Sequence, residues 1–124
     1  MGSILRAGDV VALRGPLGAG KTTFVRALVG ALHGSDAAVS SPTFVFRQRY
    51  DAPGAAPVEH LDLYRVEDER ELADLALDDA FGADRITVVE WPEHGESLLP
   101  GSRYDVAIAG AGDGPRTVRI VRHA

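Results

Sequence analysis

The chain has 124 residues and a mass of 13.1 kDa, and its 45% hydrophobic content is ordinary for one globular domain spanning 1–124. A net charge of −5 and a pI near 5.2 exclude a broad basic surface that grips DNA, RNA or anionic lipid by charge alone, and the lack of cysteine excludes disulfides and thiolate metal or redox centres. No stretch approaches the roughly 18 continuous apolar residues of a membrane span, and Met1 to Ala7 has no apolar signal-peptide core, so a cytoplasmic protein without membrane contact is expected.

Gly8 and Asp9 signal a turn, and the apolar run Val10 to Leu13 predicts a strand buried on both faces. From Lys21 the period becomes helical, with Phe24, Ala27, Leu28, Ala31 and Leu32 on one stripe and Gly34 as the stop. Thr43 to Tyr50 predicts a strand, Asp51 to Pro57 a turn-rich connector, and Val58 to Leu63 a further strand. Asp68 with Glu71 three residues on has the form of a capping box opening a short helix through Leu72, Leu75, Ala76 and Asp79. Ile86 to Val89 is another buried apolar run, ending on Glu90-Trp91-Pro92. Tyr104 to Ala109 and Thr117 to Val121, joined by the glycine-rich Gly110 to Gly114, predict a hairpin. The pattern as a whole is α/β.

Gly15-Pro16-Leu17-Gly18-Ala19-Gly20-Lys21-Thr22 matches G-x-x-x-x-G-K-[ST] in full, between a predicted strand and a predicted helix. In such a loop the glycines let successive backbone amides point inward at phosphates, and the helix N-terminus adds positive potential. The lysine reaches the outer phosphates, and the Thr22 hydroxyl is placed to ligand Mg²⁺. Lys21 is the single lysine among 13 basic residues, which fits a position where a compact, flexible ammonium cannot be exchanged for a planar guanidinium.

A phosphate loop needs an acid at the end of a neighbouring strand to hold the metal or orient water. Asp62 and Glu90 both stand at the carboxyl ends of predicted strands, where α/β sheets bind ligands. Thr43, in the loop after the P-loop helix, can complete metal or γ-phosphate contacts as switch loops do, or be an ordinary loop threonine. Trp91 reads as a half-buried core aromatic. His33, His60, His94 and His123 have no metal-ligand spacing. Arg116, Arg119 and Arg122 read as the solvent-facing side of the last strand rather than an RNA patch.

Taken together, these residues resemble the TsaE (YjeE) family, small P-loop ATPases of bacterial tRNA threonylcarbamoyladenosine synthesis. The resemblance runs from about Leu5 to near the C-terminus. It rests on the loop from Gly15 to Thr23, Ser41-Pro42-Thr43-Phe44, His60-Leu61-Asp62-Leu63-Tyr64-Arg65 and Val88-Val89-Glu90-Trp91-Pro92. It implies a P-loop NTPase-like three-layer sandwich around a mostly parallel sheet, with the C-terminal hairpin antiparallel. It also implies ATP and Mg²⁺ as ligands, contacted by Gly15, Leu17, Gly18, Ala19, Gly20, Lys21, Thr22, Thr23 and Thr43. Lys21, Asp62 and Glu90 are the implied catalytic residues. Which carboxylate touches the metal stays open at this point; the hydrophobic run leading into Glu90 favours it, beside Thr22. The implied partners are TsaB and TsaD, TsaD transferring the threonylcarbamoyl group to adenosine 37 of tRNA, with tRNA reached only through the complex. Family members carry a further strand and helix before the P-loop strand, where only Met1 to Gly8 stand here. Loss of that pair would uncover one face of the sheet.

Two other functions fit parts of the pattern. A small-molecule kinase needs an arginine lid, which Arg47, Arg49 and Arg65 could imitate, and a nucleotide-gated binding module needs the loop without hydrolysis. GTP is disfavoured because the guanine-reading N-K-x-D signature requires a second lysine.

Overall fold

The computed structural model describes residues 5–16, 20–34, 47–68, 70–75, 77–110, 114–115 and 117–123; the side chains of 22, 73–75 and 78 lie outside that description. The described strands are β1 (Val10–Arg14), β2 (Arg47–Tyr50), β3 (Val58–Asp62), β4 (Ile86–Glu90), β5 (Arg103–Ala109) and β6 (Thr117–His123), with helices α1 (Lys21–His33) and α2 (Arg70–Leu75). All six strands join one sheet in the order β2-β3-β4-β1-β5-β6. The four central strands are parallel, and β2 and β6 pair antiparallel at the two edges.

Strand alternation divides the core in two. Val11 and Leu13 of β1, Val58 of β3, Ile86 and Val88 of β4, and Val106 and Ile108 of β5 pack with Val25, Leu28 and Val29 of α1. On the opposite face Leu61 and Val89 pack with Leu63, Val66, Leu72, Leu77 and Ala80. The sheet is thus a middle layer between α1 and a thinner cover made of α2 and short 3-10 turns. The expected α1 stripe is rotated: Ala27 and Ala31 are exposed, while Val25 and Val29 are fully buried. Burying a valine removes more apolar area from water than burying an alanine, so the helix turns its valines to the sheet.

The termini of α1 follow from two glycines. Gly20, the N-cap, has φ 97 and ψ 25, and Gly34 closes the helix at φ 106 with its N–H on the Gly30 carbonyl at 2.8 Å. Both are left-handed positions where a Cβ is costly. The predicted helix after Asp68 is shorter than expected, with a 3-10 turn over Leu77–Ala80 beyond it. Its capping box is displaced: Asp68 Oδ1 accepts from the Arg70 N–H at 2.9 Å, and Glu71 reaches back to the Glu67 N–H at 3.2 Å. The expected strand over Thr43 to Tyr50 is observed from Arg47; residues 43–46, like Ala76, lie outside the described residues. Among the described residues no helix is long and apolar enough to cross a membrane.

Candidate functional site

The site lies where the carboxyl ends of β1, β3 and β4 meet. Leu13 is the register partner of Glu90, and Glu90 is in turn the partner of Asp62. The glycine loop leaves β1 in the same place, with Gly15 at φ 154, and re-enters regular structure at Gly20. Short parallel strands therefore bring the end of the loop and the two carboxylates together, although Glu90 lies 69 positions after Lys21 in the chain.

Lys21, Asp62 and Glu90 are all buried. Lys21 Nζ donates to the Gly15 carbonyl at 2.7 Å and sits 3.4 Å from the centroid of the Trp91 ring, so its desolvated charge is partly met by the ring quadrupole. Burial lowers the Lys21 pKa, against the attraction of Glu90, Glu93 and Asp62. Burial likewise pushes Asp62 above the usual carboxylate range; the Tyr64 backbone N–H, donating to Oδ1 at 2.9 Å, opposes the rise, and the neighbouring Glu90 adds to it. Glu90 is held from the β3 side by His60, whose Nε2 lies 2.5 Å from Glu90 Oε2. The cluster holds two adjacent carboxylates beside one ammonium, so an added cation would meet a net negative environment.

Trp91 is both a core aromatic, packed against the second cluster, and a wall of the site. It is the one described non-glycine residue at positive φ, 56°. A bulky residue held there is strained by roughly 1 kcal/mol or more, and the conformation turns its indole toward Lys21. Tyr64 and His94 flank it, with ring centroids 5.0 and 5.7 Å away, and His94 Nδ1 is 2.9 Å from the Leu63 carbonyl oxygen. The lysine–tryptophan contact was not read from the sequence, although the adjacency of Trp91 to Glu90 was the available signal.

Other expected site residues are distributed as follows. Thr22 and Thr23 lie in the first turn of α1, Thr23 exposed and the Thr22 side chain outside the described part. Leu17, Gly18, Ala19 and Thr43 lie outside the described residues. No group of three or more His, Asp or Glu able to hold a metal occurs among the described residues. Of the arginines that could imitate a lid, Arg47 pairs with Glu59 in a bidentate contact at 2.9 and 3.0 Å, and Arg49 with Asp51 at 3.1 Å and Glu59 at 3.4 Å; Arg65 is exposed.

Against known proteins, the family model described as "Threonylcarbamoyl adenosine biosynthesis protein TsaE" matches residues 1–118. A protein of that name from Bacillus subtilis is 42% identical over 113 residues, covering 91% of this chain and 69% of the relative. A Streptomyces coelicolor counterpart is 42% identical over 126 residues, covering 99% and 82%. For a Haemophilus influenzae counterpart, 40% identical over 91 residues, this chain spans only 56% of the relative's length. The crystal structure of Bacillus subtilis YdiB superposes with a TM-score of 0.77 at 32% identity, covering 98% of this chain and 72% of that one. With the family model matching residues 1–118, relatives 42% identical over most of the chain and a superposing crystal structure, the chain belongs to the TsaE family of threonylcarbamoyl adenosine biosynthesis proteins.

Proposed function

We propose that this chain binds ATP with Mg²⁺ at the loop from Gly15 to Thr22 and hydrolyses it to ADP and phosphate, as the ATPase subunit acting with TsaB and TsaD in the cytoplasm. The tRNA is reached through that complex, and transfer of the threonylcarbamoyl group belongs to TsaD. The observation that carries the reading is the position of Lys21. Its ammonium opens the P-loop helix, is buried against the Gly15 carbonyl and the Trp91 ring, and is attracted by Asp62 and Glu90. A lysine kept there desolvated has lost hydration that phosphate oxygens can replace.

In this reading the amides of Gly15, Leu17, Gly18, Ala19 and Gly20 and the start of α1 cradle the phosphates. Lys21 moves from the Gly15 carbonyl onto the outer phosphates, with Thr23 and Thr43 adding hydroxyl contacts. Thr22 and Glu90 hold Mg²⁺, and Asp62, whose pKa is raised by burial, orients the attacking water and can take up its proton. Bound Mg²⁺ supplies charge neutralisation on the phosphates. The kinase reading has less support, because Arg47 and Arg49, two of the three arginines that could form its lid, are engaged with Glu59.

The test is phosphate release by the purified chain with Mg²⁺, alone and with TsaB plus TsaD, with Lys21→Ala as the blank. Turnover is expected to rise with the partners. In Lys21→Ala it should vanish, with nucleotide affinity falling about 100-fold, or roughly 2.7 kcal/mol. Tight binding without release in either condition would replace the ATPase reading by a nucleotide-gated module.

A further inference from the structure

His60 occupies the middle of β3, fully buried, on the sheet face covered by α1, where Val58, Ile86, Val88 and Val25 are all aliphatic. A leucine or valine would be the cheaper occupant, because a buried imidazole must satisfy two ring nitrogens. One of them is satisfied: Nε2 meets Glu90 Oε2 at 2.5 Å, both side chains being buried. The other, Nδ1, is buried with no hydrogen-bond partner among the described residues. The Tyr50 ring lies 6.3 Å away between centroids, and Asp62, two positions on in β3, interacts with His60 electrostatically without a hydrogen bond among the described residues.

That asymmetry fixes the tautomer. A neutral imidazole with its proton on Nδ1 would strand a buried N–H and set the Nε2 lone pair against a carboxylate oxygen. With the proton on Nε2, the N–H donates to Glu90, and only a lone pair on Nδ1 goes unmatched. The fold therefore keeps a costly residue in its core whose one hydrogen bond among the described residues is with the strand-end carboxylate of the site.

We propose that His60 is the positioning residue of Glu90: by donating from Nε2–H to Oε2 it fixes the carboxylate plane and leaves Oε1 free to act at the carboxyl ends of β1, β3 and β4. This rests on the nucleotide reading above and names the support on which Glu90 acts. Ligating carboxylates need such an outer partner, since without one the group rotates and the geometry of the site loosens.

The tautomer is read directly by long-range ¹H–¹⁵N NMR of the imidazoles in the labelled full chain, expected as Nε2–H for His60; an Nδ1–H tautomer overturns the proposal. Function is read in His60→Leu, which removes the donor, and His60→Gln, which keeps an N–H at similar reach. Affinity for a fluorescent ATP analogue is measured with and without Mg²⁺, and hydrolysis alongside. In His60→Leu, metal-free affinity is expected to stay near wild type, while the gain in affinity on adding Mg²⁺ and kcat both fall about 10- to 100-fold, with KM for the Mg²⁺ complex rising in step with the lost gain. His60→Gln recovers most of both. If His60→Leu keeps the Mg²⁺-dependent gain and kcat within twofold of wild type, or if His60→Gln is no better than leucine, positioning is wrong while the nucleotide site stands. If wild type itself binds no ATP, the nucleotide reading falls and this one with it. Should His60→Leu fail to fold, the tautomer and the glutamine variant still decide.

Discussion

At the scale of single residues, the site carries charge that the fold would be more stable without. Asp62 is buried beside Glu90, and its pKa is raised by that burial. Between the unfolded carboxyl pKa, about 3.9, and the raised folded value, the native state binds more protons than the unfolded one. Stability from this group therefore falls as pH rises through that window. Asp62→Asn keeps the acceptor for the Tyr64 N–H and discards the charge. It is expected to raise stability at pH 7 to 8 by about 1 kcal/mol while abolishing turnover, and the gain should shrink toward zero below about pH 4. Urea unfolding of both proteins across pH checks this, and equal stability at pH 8 would show that the carboxylate is adequately solvated. Lys21, Asp62 and Glu90 were legible in the sequence because each stands at a strand end or in a glycine loop, positions that local pattern defines. The contacts of Lys21 with Trp91 and of His60 with Glu90 were not, since both depend on which strands become neighbours.

At the scale of elements, β2 shows how polar contacts hold an edge strand in register. It has four residues and pairs only with β3, so its hydrogen-bond ladder is short. Glu59 of β3 is fully buried and receives Arg47 in a bidentate pair, with Arg49 and Arg85 at 3.4 and 3.5 Å. Arg47 also reaches Asp79 beyond α2 at 2.5 Å, tying the edge to the thin cover of the sheet. Removing the closest cation leaves a buried carboxylate with only longer contacts, so Arg47→Met is expected to cost about 3 kcal/mol. Replacing Glu59 by Leu in the same protein should recover most of that loss, because the desolvated charge goes with it. A double-mutant cycle by chemical denaturation measures both, and simple additivity of the two changes would refute the coupling. The run Val58 to Leu63 read correctly as a strand, but Glu59 was invisible as the centre of an ion-pair cluster: its arginines come from β2 and from the residue before β4. The same limit misplaced the α1 stripe, since periodicity admits Ala27 and Val25 alike until the sheet selects the larger side chain.

At the scale of the whole molecule, much of the described positive charge is neutralised within the chain. Arg14, Arg47, Arg49, Arg70, Arg85 and Arg103 all pair with carboxylates of the same chain. The other sheet edge, β6, is different. Val118 and Ile120 point to the α1 face and Val121 to the other, each 39 to 47% exposed, and the outer backbone of a seven-residue strand faces solvent. Such an edge invites pairing with another strand unless charge prevents it. Arg119 lies between Val118 and Ile120, exposed, and Arg122 rests over Tyr104 with its guanidinium carbon 5.7 Å from the ring centroid. In an antiparallel pairing of two β6 edges centred on Arg119, the two Arg119 side chains would stand opposite one another on the same face, a repulsive arrangement that opposes association in that register. Arg119→Thr removes one guard while preserving strand propensity and touching no core contact. Thermal stability should therefore change by no more than about 0.5 kcal/mol, whereas size-exclusion chromatography with light scattering should show concentration-dependent association that wild type lacks at the same protein concentration. If both proteins stay monomeric over that range, the edge is protected by its twist or its short reach, and Arg119 is ordinary surface charge.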